Sequence, residues 1–254
     1  MANIIAIANQ KGGVGKTTTA VNLGASLAAA EKRCLLVDCD PQGNATTGLG
    51  FSKEDVTKGL YDLLLNAIDP FEVVSSTDLH GLDVVCATGD LVGADMELSV
   101  MESREFCLKK GLAKLKERYD YIILDCPPSL GLLTLNALSA ADSLLVPLQC
   151  EYYALEGLSE LLRTVKAVRN TLNPDLGIAG VVLTMYDKRN NLAKQVDMEV
   201  RRHFKGNVFK TVIPRNVRLS EAPSHGMPVI LYDIACKGAQ SYLSLAKELI
   251  EKRE

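Results

Sequence analysis

Two lysines, Lys11 and Lys16, enclose Gly12, Gly13, Val14 and Gly15, and two hydroxyls follow at Thr17 and Thr18. Without Cβ atoms at the three glycines, the backbone can curl until several N–H groups converge on one anion. An apolar run, Ile4 to Ala8, precedes this stretch, and an alanine- and leucine-rich segment, Thr19 to Ala30, follows it. That order reads as buried strand, glycine loop, helix. A helix beginning near Thr17 adds unpaired N–H groups and the positive end of its dipole. In this setting Lys16 reaches the terminal phosphates of a nucleotide, and the Thr17 hydroxyl is placed to ligate Mg²⁺. The usual phosphate-loop pattern has a glycine where this chain has Gln10. Lys11 is then a second lysine beside the phosphates, and its charge needs a partner. A chance glycine-rich turn with two solvated lysines is the bland alternative, and the coincidence of strand, loop, lysine, hydroxyl and helix weighs against it.

Three acids stand where such a loop needs them. Asp38 ends the apolar run Cys34 to Val37, and Asp40 follows it in Asp38-Cys39-Asp40-Pro41-Gln42-Gly43-Asn44. Pro41 and Gly43 stop the strand and hold a loop beyond its carboxyl end, where ligands bind in open α/β sheets. Two acids at this spacing can both approach a metal or an attacking water; an acidic solvated turn is the alternative. Asp125 ends Tyr121 to Asp125, a third apolar run. A carboxylate at that strand tip holds a Mg²⁺-bound water. Cys126-Pro127-Pro128-Ser129 then turns the chain stiffly, as suits a segment that senses the γ-phosphate, and equally a structural turn.

The elements that must position these groups alternate between strand and helix. Strands are expected over 4–8, 33–38, 82–87, 121–125, 143–148, 180–185 and 208–213. Helices are expected from near Thr17 to Ala30, over 56–67 with Thr57 as N-cap, over 102–118, and from Gly131 to about Ala141. A further helix carries Leu155, Leu158, Leu161, Leu162, Val165 and Val168, and another carries Leu192, Val196, Val200 and Phe204 with Arg201 and Arg202 off its apolar face. The last, about 238–252, carries Tyr242, Leu245, Ala246, Leu249 and Ile250 on one face. Residues 88–101 are ambiguous. About seven strands alternating with helices, without repeat or linker, make one α/β domain over 1–254: a doubly wound, mostly parallel sheet with helices on both faces.

Composition bounds the function. The 254 residues are 47% apolar and 23% charged, which is ordinary for a globular chain. No uninterrupted apolar run approaches the roughly 18 residues of a membrane span, and the chain opens on a strand with no expected signal peptide. Seven scattered cysteines without a Cys-x-x-Cys pair read as buried thiols in a reducing cytoplasm rather than a zinc or iron–sulfur site. Net charge is −3, which alone argues against nucleic acid. The distribution argues the other way. Between Lys188 and Arg218 nine basic residues (188, 189, 194, 201, 202, 205, 210, 215 and 218) face only Asp197 and Glu199, so this segment is +7 and the remainder −10. Such asymmetry signals a polyanionic partner, although a solvated helix face would also show a charge run.

The phosphate loop, the Asp38–Asn44 turn, Leu124-Asp125-Cys126-Pro127-Pro128-Ser129 and the stretch Ile213-Pro214-Arg215-Asn216-Val217-Arg218-Leu219-Ser220-Glu221-Ala222-Pro223-Ser224 together resemble the ParA/Soj family of chromosome- and plasmid-partitioning ATPases. The match runs over essentially the whole chain and is of the short type, with no helix-turn-helix expected before the first strand. The resemblance implies a deviant Walker A phosphate-loop NTPase using ATP and Mg²⁺, and a homodimer that sandwiches two nucleotides. Lys11 then crosses to the partner subunit's phosphates, and Gly12 to Thr18 cradle the chain's own. Lys16 and Thr17 touch phosphate and Mg²⁺, Asp40 orients or deprotonates the attacking water, and Asp125 supports the metal. Pro214 and Asn216, with Met185, match the adenine region. The resemblance further implies sequence-nonspecific binding of double-stranded DNA by the dimer, through Arg189 and Arg218 first and Arg201, Arg202 and Lys210 behind them. It also implies a ParB-type centromere-binding partner that stimulates hydrolysis, in the cytoplasm on the nucleoid and without membrane attachment. The competing readings are a MinD-type membrane-positioning ATPase, disfavoured by the charge-balanced terminal helix, a nitrogenase-iron-protein-like reductase, which lacks a suitable cysteine pair, and a non-enzymatic nucleotide-gated scaffold.

Overall fold

A computed structural model describes residues 1–66, 68–204 and 206–252. Its strands are β1 (Asn3–Ile7), β2 (Cys34–Asp38), β3 (Val74–Ser76), β4 (Leu82–Val85), β5 (Tyr121–Asp125), β6 (Ser143–Gln149), β7 (Gly177–Tyr186) and β8 (Val208–Pro214). They form one sheet in the order β3-β4-β2-β5-β1-β6-β7-β8, parallel throughout except for the antiparallel edge pair β3–β4. The helices are α1 (Lys16–Ala29), α2 (Asn44–Gly48), α3 (Leu60–Leu65), α4 (Ala94–Ser99), α5 (Cys107–Leu112), α6 (Leu132–Ala140), α7 (Ala154–Thr171), α8 (Asn191–His203), α9 (Val217–Glu221), α10 (Val229–Tyr232) and α11 (Lys237–Glu251).

Each central strand is apolar on both faces because helices cover both. Ile4 and Ala6 point into one core, with Leu63, Leu108, Leu138, Leu161 and Val196 from α3, α5, α6, α7 and α8. Ile5 and Ile7 point into the other, with Leu23 and Leu27 from α1 and Tyr242 and Leu245 from α11. This is the period-two alternation of a strand, read as a continuous apolar run because neither side is wet. The register sets Asp125 opposite Ile7 on one side and opposite Asp38 on the other, so the glycine loop and two of the acids meet at one edge of the sheet.

Several expectations shift. Among the described residues there are eight strands rather than about seven, the three-residue β3 showing no apolar alternation by which to expect it. The helix expected over 56–67 spans only Leu60–Leu65, and Ala67 lies outside the described residues. Gly59, not Thr57, precedes it, with its N–H donating to Asp62 at 2.9 Å. A Cβ at Gly59 would come within 2.4 Å of the Cys86 carbonyl, so the close approach of the chain to β4 decides where the helix begins. The helix expected over 102–118 is broken into a 3₁₀ turn, α5 and a second 3₁₀ turn. There the Asn136 side chain accepts the Leu108 N–H and donates to the Arg104 carbonyl, taking groups that a longer helix would use itself. On α8, Ala193 takes the buried place expected for Leu192, which is exposed.

At the other sheet edge β8 is bulged. Its pairings pass from Val208 to Val212 while β7 advances only from Val181 to Leu183. The N–H groups of Lys210 and Thr211 in the bulge donate to the Glu248 carboxylate of α11, at 2.8 and 3.0 Å. α11 itself turns Tyr242, Leu245, Ala246 and Leu249 inward. Among the described residues no helix is long and apolar enough to cross a membrane.

Two glycines fix how the loops above the sheet meet. Gly50, just past α2, and Gly226, ahead of α10, both have left-handed backbones (φ 89° and 64°). A Cβ on Gly226 would lie 2.7 Å from the Gly50 Cα, and one on Gly50 would lie 3.0 Å from the Gly226 carbonyl oxygen. Gly226→Ala therefore meets both a disfavoured φ and backbone that cannot move aside. It is expected to destabilise the chain by about 1–3 kcal/mol, read as a lowered urea midpoint with an unchanged slope. A midpoint equal to wild type would show that the crossing is loose.

Candidate active site

The glycine loop is held from three sides before it meets any ligand. The Asn9 amide donates to the Pro147 carbonyl at 2.8 Å, and its carbonyl oxygen accepts the Lys11 N–H at 3.0 Å. The Thr184 hydroxyl, at the end of β7, donates to the Val14 carbonyl at 2.8 Å. Gly13 and Gly15 adopt φ of 74° and 87°, and α1 starts directly afterwards with no side-chain cap on its first N–H groups. Lys16 is buried, with Nζ donating to the Lys11 carbonyl at 3.2 Å. Burial holds its ammonium below the ordinary range, while Asp125, Cys126 and Asp40 pull it back up.

Over the loop lies a cavity of about 500 Å³, a size that suits a small organic ligand. Gly12, Gly13, Gly15, Lys16, Thr17 and Thr18 form its floor. Asp40, Gln42, Thr47 and Gly48 form one wall, Pro128 and Met185 stand beside them, and Ala222, Pro223 and Met227 close the far end. Met185 has a φ of 48°, which a long side chain adopts at a cost of about 1–3 kcal/mol, so local strain sits on the cavity wall. Pro214 and Asn216 stand outside this wall. Pro214 lines a neighbouring groove, and Asn216 caps α9, its side-chain oxygen accepting the Arg218 N–H at 2.9 Å. α9 carries the chain away before Ala222 and Pro223 return to the cavity. These two lie inside the 213–224 motif, whereas Met227 beyond it gave no signal as part of a glycine- and proline-bounded loop.

The acids divide by environment. Asp38 is fully buried, with one oxygen accepting the Thr46 N–H at 2.8 Å and the Thr46 hydroxyl at 2.7 Å. Burial pushes its carboxyl up to about 6 against the pull of those bonds. The same Thr46 hydroxyl accepts the Ala87 N–H at 2.9 Å, tying α2 to the end of β4. Asp40 faces the cavity and accepts the Gln42 N–H at 2.9 Å. Asp125 is fully buried, and neither carboxylate oxygen has a hydrogen-bond partner among the described residues. Burial first, then the neighbouring Asp38 charge, raises it well above the carboxylate range, while Thr17 and Lys16 draw it down. An orphaned, dry carboxylate beside a threonine hydroxyl and a lysine is what a hydrated divalent cation satisfies, so these residues fit Mg²⁺.

Lys11 is not on the cavity wall. It is ion-paired with Glu151, which follows β6, and both side chains are nearly half exposed (41% and 46%). A pair this wet is worth about 0–1 kcal/mol.

Of the basic residues, Arg189 is 91% exposed on its side chain and paired with Asp187 at 3.1 Å. With Lys188, Arg215 and Lys237 it lines a groove of about 730 Å³ beside β8 and α11. Lys237 was missed because it lies beyond the basic segment in sequence. Lys210 opens on an adjoining recess with Lys247 and Lys252. Arg202 is exposed, with Glu199 at 3.8 Å. Arg201 turns inward instead, to Asp197 at 2.6 Å and the Phe209 carbonyl at 3.0 Å, and Arg218 is held by Glu221 at 2.8 Å, Asp233 at 3.3 Å and the Tyr232 ring. Lys205 lies outside the described residues. The cysteines carry free thiols, six of them buried and Cys236 half-buried.

A family model described as an AAA domain (AAA_31) matches residues 2–178. The chain is 61% identical over 249 residues to the sporulation initiation inhibitor protein Soj of Bacillus subtilis, covering 98% of each chain. It is 59% identical to the chromosome partitioning protein ParA of Myxococcus xanthus, covering 99% of this chain and 89% of that one. Among solved structures, cobyrinic acid a,c-diamide synthase from Mycobacterium smegmatis with bound ATP analog and magnesium superposes with a TM-score of 0.87 at 38% identity, over 100% of this chain and 96% of that one.

Asp38 carries a pH prediction. Its folded value of about 6 lies above the unfolded value of about 3.9. Between these limits the folded chain binds more protons than the unfolded one, so the stability from this group is full below about pH 4 and is lost as pH rises through about 6. Asp38→Asn is expected to flatten the fall in unfolding free energy of the ligand-free chain across that window, whatever constant offset the altered acceptor adds. Parallel curves for variant and wild type would show that Asp38 does not titrate there.

Proposed function

The chain belongs to the Soj/ParA family of chromosome-partitioning ATPases, and from that premise we propose that it is an ATP-driven DNA-partitioning switch. ATP occupies the 500 Å³ cavity, two copies close face to face around a pair of nucleotides, and the closed dimer binds double-stranded DNA without sequence preference. Hydrolysis to ADP and phosphate, stimulated by a ParB-type centromere-binding protein, returns the chain to single copies. It works in the cytoplasm, on the nucleoid.

The observation that carries this reading is the contrast between the two lysines. Lys16 is buried on the cavity floor, whereas Lys11 is parked outside on Glu151 by a weak, wet ion pair. A cation held that loosely is free to cross to a partner's nucleotide, where charge developing between the β- and γ-phosphates calls for it. Asp40, at the cavity wall and anchored through Gln42, orients the attacking water or takes its proton. Thr17 and Asp125 hold Mg²⁺, which neutralises phosphate charge when bound. The base rests at the far end of the cavity, against Met185, Pro223 and Met227.

The DNA surface is the groove of Lys188, Arg189, Arg215 and Lys237, continued by Lys210, with the exposed Arg202 as a further contact. Arg201 and Arg218, committed to carboxylates and backbone, shape that surface more than they contact DNA. Dimerisation doubles the +7 segment to about +14, enough for steeply salt-dependent phosphate binding despite an acidic average.

Asp40→Ala is expected to keep ATP-dependent dimerisation and DNA retention while turnover falls by ~10²-fold or more. A variant that stays single with ATP would remove Asp40 from this role. Arg189→Glu with Lys237→Glu is expected to spare nucleotide binding and to lower DNA retention with ATP, most visibly at low salt. Retention equal to wild type at two salt concentrations would make the groove a bystander.

A further inference from the structure

The groove beside β8 and α11 is deeper than a duplex surface requires. It encloses about 730 Å³, against about 500 Å³ over the glycine loop, and falls in the range of small-ligand sites. It lies beyond the carboxyl ends of β7 and β8, the end of a parallel sheet at which ligands bind. A single strand end divides the two cavities. Met185 lines the one over the glycine loop, and the next residue, Tyr186, lines the groove.

The lining is graded from apolar to charged. Tyr186, Val212 and Pro214 are half-buried and make an apolar floor, whereas Lys188, Arg189, Arg215 and Lys237 are exposed around it. Gln240, Ser241 and Ser244 of α11 add an amide and two hydroxyls along one side. The one acid in the lining, Asp187, is spent on Arg189, accepting its main-chain N–H at 2.9 Å and its guanidinium at 3.1 and 3.2 Å. Among the described residues Lys188, Arg215 and Lys237 have no carboxylate within ion-pair distance, unlike Arg201 and Arg218. A duplex is convex and meets these cations with its phosphates, while its bases stay paired inside it. The apolar floor is therefore idle in the DNA contact. A ring that reaches it belongs to a smaller molecule.

We propose that the groove is a second ligand site, for a small nucleotide that carries phosphates at two separate positions on its sugar. The base rests on Tyr186 and Pro214. Lys188 and Arg189 hold one phosphate from the β7 side, Lys237 holds the other from α11, and Arg215 stands at the end of β8 between them. Phosphates set apart on the sugar suit cations set apart on two elements, unlike the single cradle of the glycine loop. Because the same cations meet DNA, ligand and duplex compete, and the ligand acts as a brake on DNA retention. Occupation of the groove is independent of the partition reading; the competition rests on it.

The test uses the full chain and fluorescently labelled adenosine 3′,5′-bisphosphate. A saturating non-hydrolysable ATP analogue with Mg²⁺ keeps the glycine-loop cavity filled, and fluorescence anisotropy is expected to show saturable binding of the probe. Ser241→Phe and, separately, Ser244→Trp set a ring in the recess. Each is expected to weaken the probe about tenfold (~1.4 kcal/mol) at an unchanged melting temperature; Ser244 is exposed, which keeps that variant clear of the core. Unlabelled bisphosphate is expected to lower retention of duplex DNA by wild type and not by Ser241→Phe. Tripolyphosphate, which has the charge without the ring, is expected to displace the probe at least about tenfold less well. Equal probe affinity for wild type and both variants overturns the proposal. So does probe binding that the ATP analogue abolishes, because the probe is then in the glycine-loop cavity. Displacement by tripolyphosphate as readily as by the bisphosphate overturns the ligand class. A single-stranded oligonucleotide that binds more tightly than the probe, and weakens in the same two variants, overturns the free ligand in favour of an unpaired nucleotide of a strand. Recess-dependent probe binding by a chain that retains no DNA supports the site and sinks the DNA reading instead.

Discussion

Two carboxylates sit side by side at the tips of neighbouring parallel strands, both shut away from water, and the rest of the site answers to that fact. Burying one unpaired charge is costly, and burying two like charges in register is more so. Asp38 relieves its share through three hydrogen bonds, two from Thr46 and a longer one at 3.3 Å from the Asp40 N–H. Asp125 has no well-formed bond of this kind among the described residues. Its counterweights, the Thr17 hydroxyl and the Lys16 charge at the foot of α1, draw its carboxyl down only in part. A divalent cation held there would offset the two buried carboxylates, and part of its binding energy would be available for arranging the loops above.

Those loops are arranged from outside the site. Thr46 connects β2 to β4 across α2, Thr184 pins the glycine loop to β7, and the Gly50–Gly226 crossing joins the loops that supply two cavity walls. None of these groups would touch a phosphate. They act by making the position of each wall depend on another strand end, so the parallel sheet sets the shape of the cavity.

This division explains what was legible in the sequence. The five-residue runs ending in Asp38 and Asp125 and the glycine loop are local patterns, and their strands appear within a residue or two of the expected bounds. The cavity's far end was not legible, because Met227 enters through a loop whose path depends on α9 and on a backbone contact with Gly50. Arg218 and Arg201 illustrate a different limit. Sequence counts charges, but Glu221, Asp233 and Asp197 decide which of them are spent within the fold. Lys237 is the converse, a cation remote in sequence that α11 returns to the groove. The helix over 102–118 failed because Asn136, a residue of another helix, takes its backbone groups.

The bulge in β8 has a consequence for how copies of this chain can gather. An outermost strand with open N–H groups is a template on which a strand of another molecule can pair, and such growth has no natural end. Here β8 departs from regular pairing, and Glu248 occupies the N–H groups of Lys210 and Thr211. That stretch of the margin of the sheet offers an incoming strand a bent backbone whose donors are already taken. Along that stretch the fold disfavours self-association by sheet extension.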